Sequence, residues 1–196
     1  MKLVTRLLFT LTLSALCGLT SAGQPVLGDS WDYQYSSHDF NNGRLADEVV
    51  HVVVVAYNLS GKPIFKGWSS FGMHSDTCLF DVFTGAEIPG EVSCADPLPV
   101  GKTWYAGPLE SFRGPKQWFT IMGTEKVEVA GEQYIATIIT TVAPLPGYSG
   151  YRRSKYLYSP EVKGMISVVH EVLEANGLVA VVENFSLLAF HPVSGN

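Results

Sequence analysis

The chain of 196 residues has little charge, little cysteine and no helical pattern. Only 16% of it is charged, with 13 Lys and Arg against 18 Asp and Glu, and no basic block occurs. A formal net charge of −5 excludes a protein that grips nucleic acid through its phosphates, which needs clustered cations. The three cysteines and five histidines form no His-x-His or Cys-x-x-Cys pair, which excludes a standard structural zinc module. His51 and His170 each lie inside apolar runs and read as hydrogen-bonded strand residues, and His74 beside Asp76 lacks a third ligand. Neither a metal nor a cofactor is expected.

Catalytic motifs fail on spacing. Gly101-Lys102-Thr103 ends like a phosphate-binding loop, but the glycine that motif needs five positions earlier is Asp96. Gly147-Tyr148-Ser149-Gly150 places its second glycine one position too early for a nucleophile elbow. An enzyme is therefore not expected. A helical stripe is also missing. The nearest candidate, Ser167 to Ala175, contains a Val-Val pair and runs into Asn176-Gly177, which favours a strand.

The sequence is otherwise rich in apolar residues, 46% of the chain, and in aromatics, 12%. That is too apolar for disorder and large enough for one proper core. The first 22 residues read as a secretory signal: Lys2 and Arg6, an apolar stretch from Leu7 to Leu19, then Thr20-Ser21-Ala22 before Gly23. The rival reading is a retained membrane anchor, against which Gly18, Ser21, Gly23, Gln24 and Pro25 break the apolar run short of a bilayer span. Cys17 follows Leu16, not the small residue a lipid-attachment signal uses. Residues 23–196 are then a single exported domain, periplasmic or secreted, with no membrane span after cleavage. Cys78 and Cys94 are its only cysteines. In an exported chain two cysteines most simply form one disulfide, which contributes about 3 kcal/mol in the chain-entropy model.

The periodicity is that of strands. Trp31, Tyr33 and Tyr35 alternate with polar residues. Six valines between Glu48 and Tyr57 read as a central strand covered on both sides. Further runs are Leu79–Phe83, Gln117–Met122 and Lys126–Val129, these two separated by Gly123-Thr124-Glu125 as a turn or a bulge, then Gln133–Val142, Lys155–Tyr158, Met165–Leu173 and Leu178–Phe190. The last two flank Asn176-Gly177, the strongest hairpin signal in the chain. Nineteen glycines and eleven prolines punctuate these runs. The expected fold is all-β: one antiparallel barrel, half-barrel or sandwich of about ten strands.

The segment Pro144–Pro160 carries the best candidate binding residues: Tyr148, Tyr151, Arg152, Arg153 and Lys155. Arginine and tyrosine dominate recognition surfaces, and bidentate guanidinium contacts with ring stacking suit an anionic or carbohydrate partner. The plain alternative is an ordinary loop solvated by its basic residues, followed by a strand whose tyrosines pack. Trp31, Trp104 and Trp118 read as core; Trp68, between Gly67 and Ser69, is a weaker binding candidate.

Four landmarks resemble a group of exported bacterial all-β proteins of unknown function. They are Gly28-Asp29-Ser30-Trp31, Pro99-Val100-Gly101-Lys102-Thr103-Trp104, Val127 to Ala136 with its Ala130-Gly131 turn, and Tyr156-Leu157-Tyr158-Ser159-Pro160-Glu161. The chain departs from that group at Val129 and Leu157. The resemblance implies compartment and an antiparallel fold, with no catalytic residues to carry over. Two functions follow as expectations. One is a carrier binding an apolar or amphipathic ligand inside a curved sheet. The other is an interaction module docking on an envelope protein or glycan through the Tyr148–Lys155 loop.

Overall fold

The computed structural model describes residues 25–57, 59, 63–67, 73–74, 99–106, 117–145, 147 and 149–193, with backbone alone at 73–74, 104–106 and 117. The expected signal segment, Trp68, Tyr148, the Leu79–Phe83 run and the Cys78–Cys94 pair lie outside these residues.

Among the described residues ten strands form one antiparallel sheet: β1 (Ser30–Asp39), β2 (Arg44–Tyr57), β3 (Pro63–Lys66), β4 (Met73–His74), β5 (Thr103–Ala106), β6 (Gln117–Val129), β7 (Glu132–Pro144), β8 (Tyr151–Ser159), β9 (Gly164–Leu173) and β10 (Val179–His191). Their order is β4-β3-β2-β1-β10-β9-β8-β7-β6-β5. The chain thus makes a meander from β5 to β10, and β1 then pairs with β10. The long-range β1–β10 pairing joins its first and last long strands. β6 also approaches β10 although three strands separate them in the sheet, so the sheet curls around one core. Among the described residues the edges β4 and β5 are not paired with each other. The architecture is an open, curled sheet, and of the expected forms it is not the closed barrel.

The alternation expected for β1 holds. Trp31, Tyr33 and Tyr35 point inward and are 5% exposed or less. They meet Phe190, Leu187 and Phe185 across β10. Trp31 stacks on Phe190 at 5.4 Å between centroids and tilts against Phe65 at 5.9 Å. Phe119 and Ile121 of β6, Tyr156 of β8 and Met165 and Val168 of β9 belong to the same cluster. Each fully buried aromatic or aliphatic side chain of this kind supplies about 1.5–3 kcal/mol of transfer free energy.

The sheet corrects two readings and decides a third. β2 is covered on one side only: Val50, Val52 and Val54 are buried, while Val49 and Val55 are exposed. Its valines outnumber its buried positions because a β-branched side chain also suits an exposed pleated surface. Of the turn and the bulge that Gly123-Thr124-Glu125 allows, the bulge forms: β6 runs continuously, with its register shift between Ile121 and Gly123. Lastly, Trp118 is not core. Phe119 takes the inner face, so the pleat sends Trp118 outward, where it is 60% exposed. The Asn176-Gly177 hairpin forms as expected, with Gly177 at φ +84° and Glu174 N–H donating to the Leu178 carbonyl.

Candidate functional site

β8 begins at Tyr151, so Arg152, Arg153 and Lys155 belong to a strand and not to the loop before it. Pairing on both sides then separates them. Arg153 and Lys155 face outward and are exposed, whereas Arg152 sits half-buried on the opposite face, in register with Ala143 and Val172. Tyr151 shares the Arg153 face by alternation and is half-buried beside Pro144 and Leu173.

Register assembles two rows on the outer face of β6–β9. One row runs Trp118, Val142, Arg153, Glu171; the next runs Thr120, Thr140, Lys155, Val169. Three strand spacings make each row about 14 Å long. Between the rows over β7–β9 lies a shallow groove of about 450 Å³, walled by Thr140, Val142, Arg153, Lys155, Val169 and Glu171. Arg153 Nε donates to Glu171 Oε2 at 2.6 Å, and Lys155 Nζ donates to Glu125 Oε1 at 3.1 Å. The Glu171 hydrogen bond, and secondarily its charge, pushes the Arg153 pKa up. Ion pairs as exposed as these add little stability; their effect is to hold two cationic side chains in place.

Sequence reasoning missed Trp118, Thr140, Glu171 and Glu125 as members of this face. The signal for Trp118 was present, because two adjacent aromatics on one strand cannot both face the core. The two acids were not recoverable, since their partners lie 18 and 30 positions away.

Two other polar clusters flank the core. His170 is buried and its Nδ1 lies 2.7 Å from Ser154 Oγ, a residue that is itself 2% exposed. On the outer face Asp32 bridges His51 Nδ1 at 2.6 Å and His191 Nε2 at 2.8 Å across three adjacent strands. The hydrogen bond from His51, then that from His191, holds the Asp32 carboxyl below its ordinary value. Among the described residues no three His, Cys, Asp or Glu side chains are arranged to hold a metal ion.

No family model and no curated protein matches the chain. It is similar to a solved structure, that of the hypothetical lipoprotein YmcC from Escherichia coli (K12). The two share 13% identity at a TM-score of 0.36, over 80% of this chain and 87% of that one.

Proposed function

We propose that the chain is an exported, non-enzymatic β-domain that docks on an envelope protein or glycan through the outer face of β7–β9. The observation that supports this reading is the exposed Arg153–Lys155 pair, fixed by Glu171 and Glu125 along a groove. The described inner face is filled by Trp31, Tyr33, Phe65, Phe119 and Phe185, all 1% exposed or less, so the outer face is where chemistry meets solvent. The test is co-sedimentation of the exported protein with envelope fragments. The double substitution Arg153→Ala with Lys155→Ala should weaken binding at least tenfold and leave the thermal midpoint within a few degrees. Unchanged binding would sink the reading.

The carrier reading has one observation of its own. A recess of about 320 Å³ opens at the β1–β2 hairpin end, lined by Ser37, Asp39, Arg44, Leu45, Ala46 and Val181. Native mass spectrometry of protein purified without detergent tests it: excess mass that vanishes on denaturation supports a carried ligand, and a bare mass removes that support.

A further inference from the structure

We propose that the partner of the β7–β9 outer face is a neutral glycan. This rests on the preceding reading of that face and adds the chemical class of what it recognises.

The argument starts from charge. Each cation on the face arrives with its own carboxylate: Glu171 for Arg153 and Glu125 for Lys155. The face therefore carries no positive excess, and the whole chain is net negative at −5. A polyanion would meet two carboxylates locally and repulsion at long range, with no uncompensated cations to release its counterions.

The same pairing suits vicinal hydroxyls. A sugar hydroxyl both donates and accepts. A guanidinium beside a carboxylate offers donors next to an acceptor, so one hydroxyl oxygen accepts from Arg153 while its neighbour donates to Glu171. Arg153 uses Nε for Glu171, which leaves its terminal amino groups to face a ligand. Thr140 supplies a hydroxyl in the neighbouring row. At the β6 end of the first row Trp118 is 60% exposed beside exposed Val142, an apolar platform for the C–H face of a pyranose ring. The row's length of about 14 Å accommodates an oligosaccharide. A protein partner fits less well, because the centres of stable protein interfaces are depleted of charge and this face carries Arg153, Lys155, Glu171 and Glu125.

The test is isothermal titration of the exported full chain with cellohexaose, maltohexaose and mannohexaose as neutral probes and oligogalacturonate as the acidic one, at 50 and 500 mM NaCl. The expected result is binding of a neutral hexaose whose affinity changes less than twofold with salt. Trp118→Ala and Arg153→Ala should each weaken it at least tenfold, with circular dichroism and thermal midpoint unchanged. Arg153→Lys, which keeps charge and loses the fork, should also weaken it. Tighter, salt-sensitive binding of oligogalacturonate would overturn neutrality while leaving the face as a glycan site. Failure of all four probes, with envelope binding still lost in the Arg153/Lys155 double variant, would overturn the glycan and leave the docking face standing. If the double variant also binds envelope normally, both readings fall.

Discussion

Asp29 and Lys163 stand 134 positions apart and their side chains meet at 2.8 Å. Asp29 is fully buried. Its Oδ2 accepts from Lys163 Nζ and from Val26 N–H, and its Oδ1 accepts from Val193 N–H at 2.9 Å. One carboxylate thus ties the segment before β1, the segment after β10 and the β8–β9 turn. Trp31 adds a second tie to that turn, its Nε1 donating to the Val162 carbonyl at 2.7 Å. The landmark at 28–31 is therefore one side of a clasp whose other side, Val162 and Lys163, directly follows the landmark at 156–161.

Asp29→Ala strips a half-buried cation of its partner and two amides of their acceptor. Leaving such groups unsatisfied costs about 1–3 kcal/mol. The urea midpoint should fall accordingly, and Asp29→Asn, which keeps an acceptor, should cost less. A change below about 0.5 kcal/mol, the scale of an ordinary surface substitution, would mean that the clasp does not hold the ends.

Gly164 tests the same clasp through space. A Cβ there would lie 3.3 Å from Trp31 Nε1 and 3.6 Å from Cε2. Gly164→Ala should cost about 1–2 kcal/mol by overpacking. Trp31→Phe removes both the indole donor and the ring that crowds the new methyl. The double variant should then be more stable than the two single losses predict, by about 1 kcal/mol. Strict additivity would show that the indole does not confine residue 164.

Trp118 and Phe119 give the plainest test of which face is which. Phe119 is 1% exposed and touches Tyr156 at 6.2 Å between centroids. Phe119→Ala should cost about 3–5 kcal/mol. Trp118→Ala, on the outer face, should cost under about 1 kcal/mol. Reversed magnitudes would invert the assignment of the sheet's faces.

Legibility in the sequence followed the range of the interaction. The alternation of Trp31, Tyr33 and Tyr35 and the Asn176-Gly177 turn are local, and both appear where the pattern put them. The open, curled sheet depends on the β1–β10 pairing, which no local pattern encodes. The candidate site was half legible. Arg152 and Arg153 were visible as a basic pair, but a pleat divides neighbours between faces, so only Arg153 and Lys155 share the groove. Their acids come from β9 and β6 and could not be chosen in advance. The six valines of β2 misled for a different reason: β propensity and burial draw on the same residue type.

The β6–β7 turn offers a stabilising change. Ala130 sits at φ +53° and Gly131 at φ +86° between Val129 and Glu132. Two central residues of positive φ match the twist of a tight hairpin. A Cβ in the left-handed region costs about 1–2 kcal/mol, more than the extra chain entropy of a second glycine. Ala130→Gly should therefore raise stability by about 0.5 kcal/mol, seen as a rise in thermal midpoint. A fall would show that Ala130 is not held at positive φ.

Asp32 sets part of the acid limit of stability. Its carboxyl lies below the ordinary 3.8, held there first by the hydrogen bond from His51 and second by that from His191. The folded state therefore binds this proton more weakly than the unfolded chain does. The resulting stability is complete above the unfolded value near 3.8 and is lost as pH falls through the lower native value. Because Asp32 is 31% exposed, solvent keeps the effect small, under about 1 kcal/mol. Asp32→Asn should flatten the acid limb of the stability curve below pH 4 relative to wild type. Carboxyl ¹³C titration should show the native Asp32 value rising further in His51→Ala than in His191→Ala, since the His51 bond is the stronger cause. Equal rises would mean that the two imidazoles share the carboxylate evenly, and no rise in either would mean that the three-strand bridge does not form in solution.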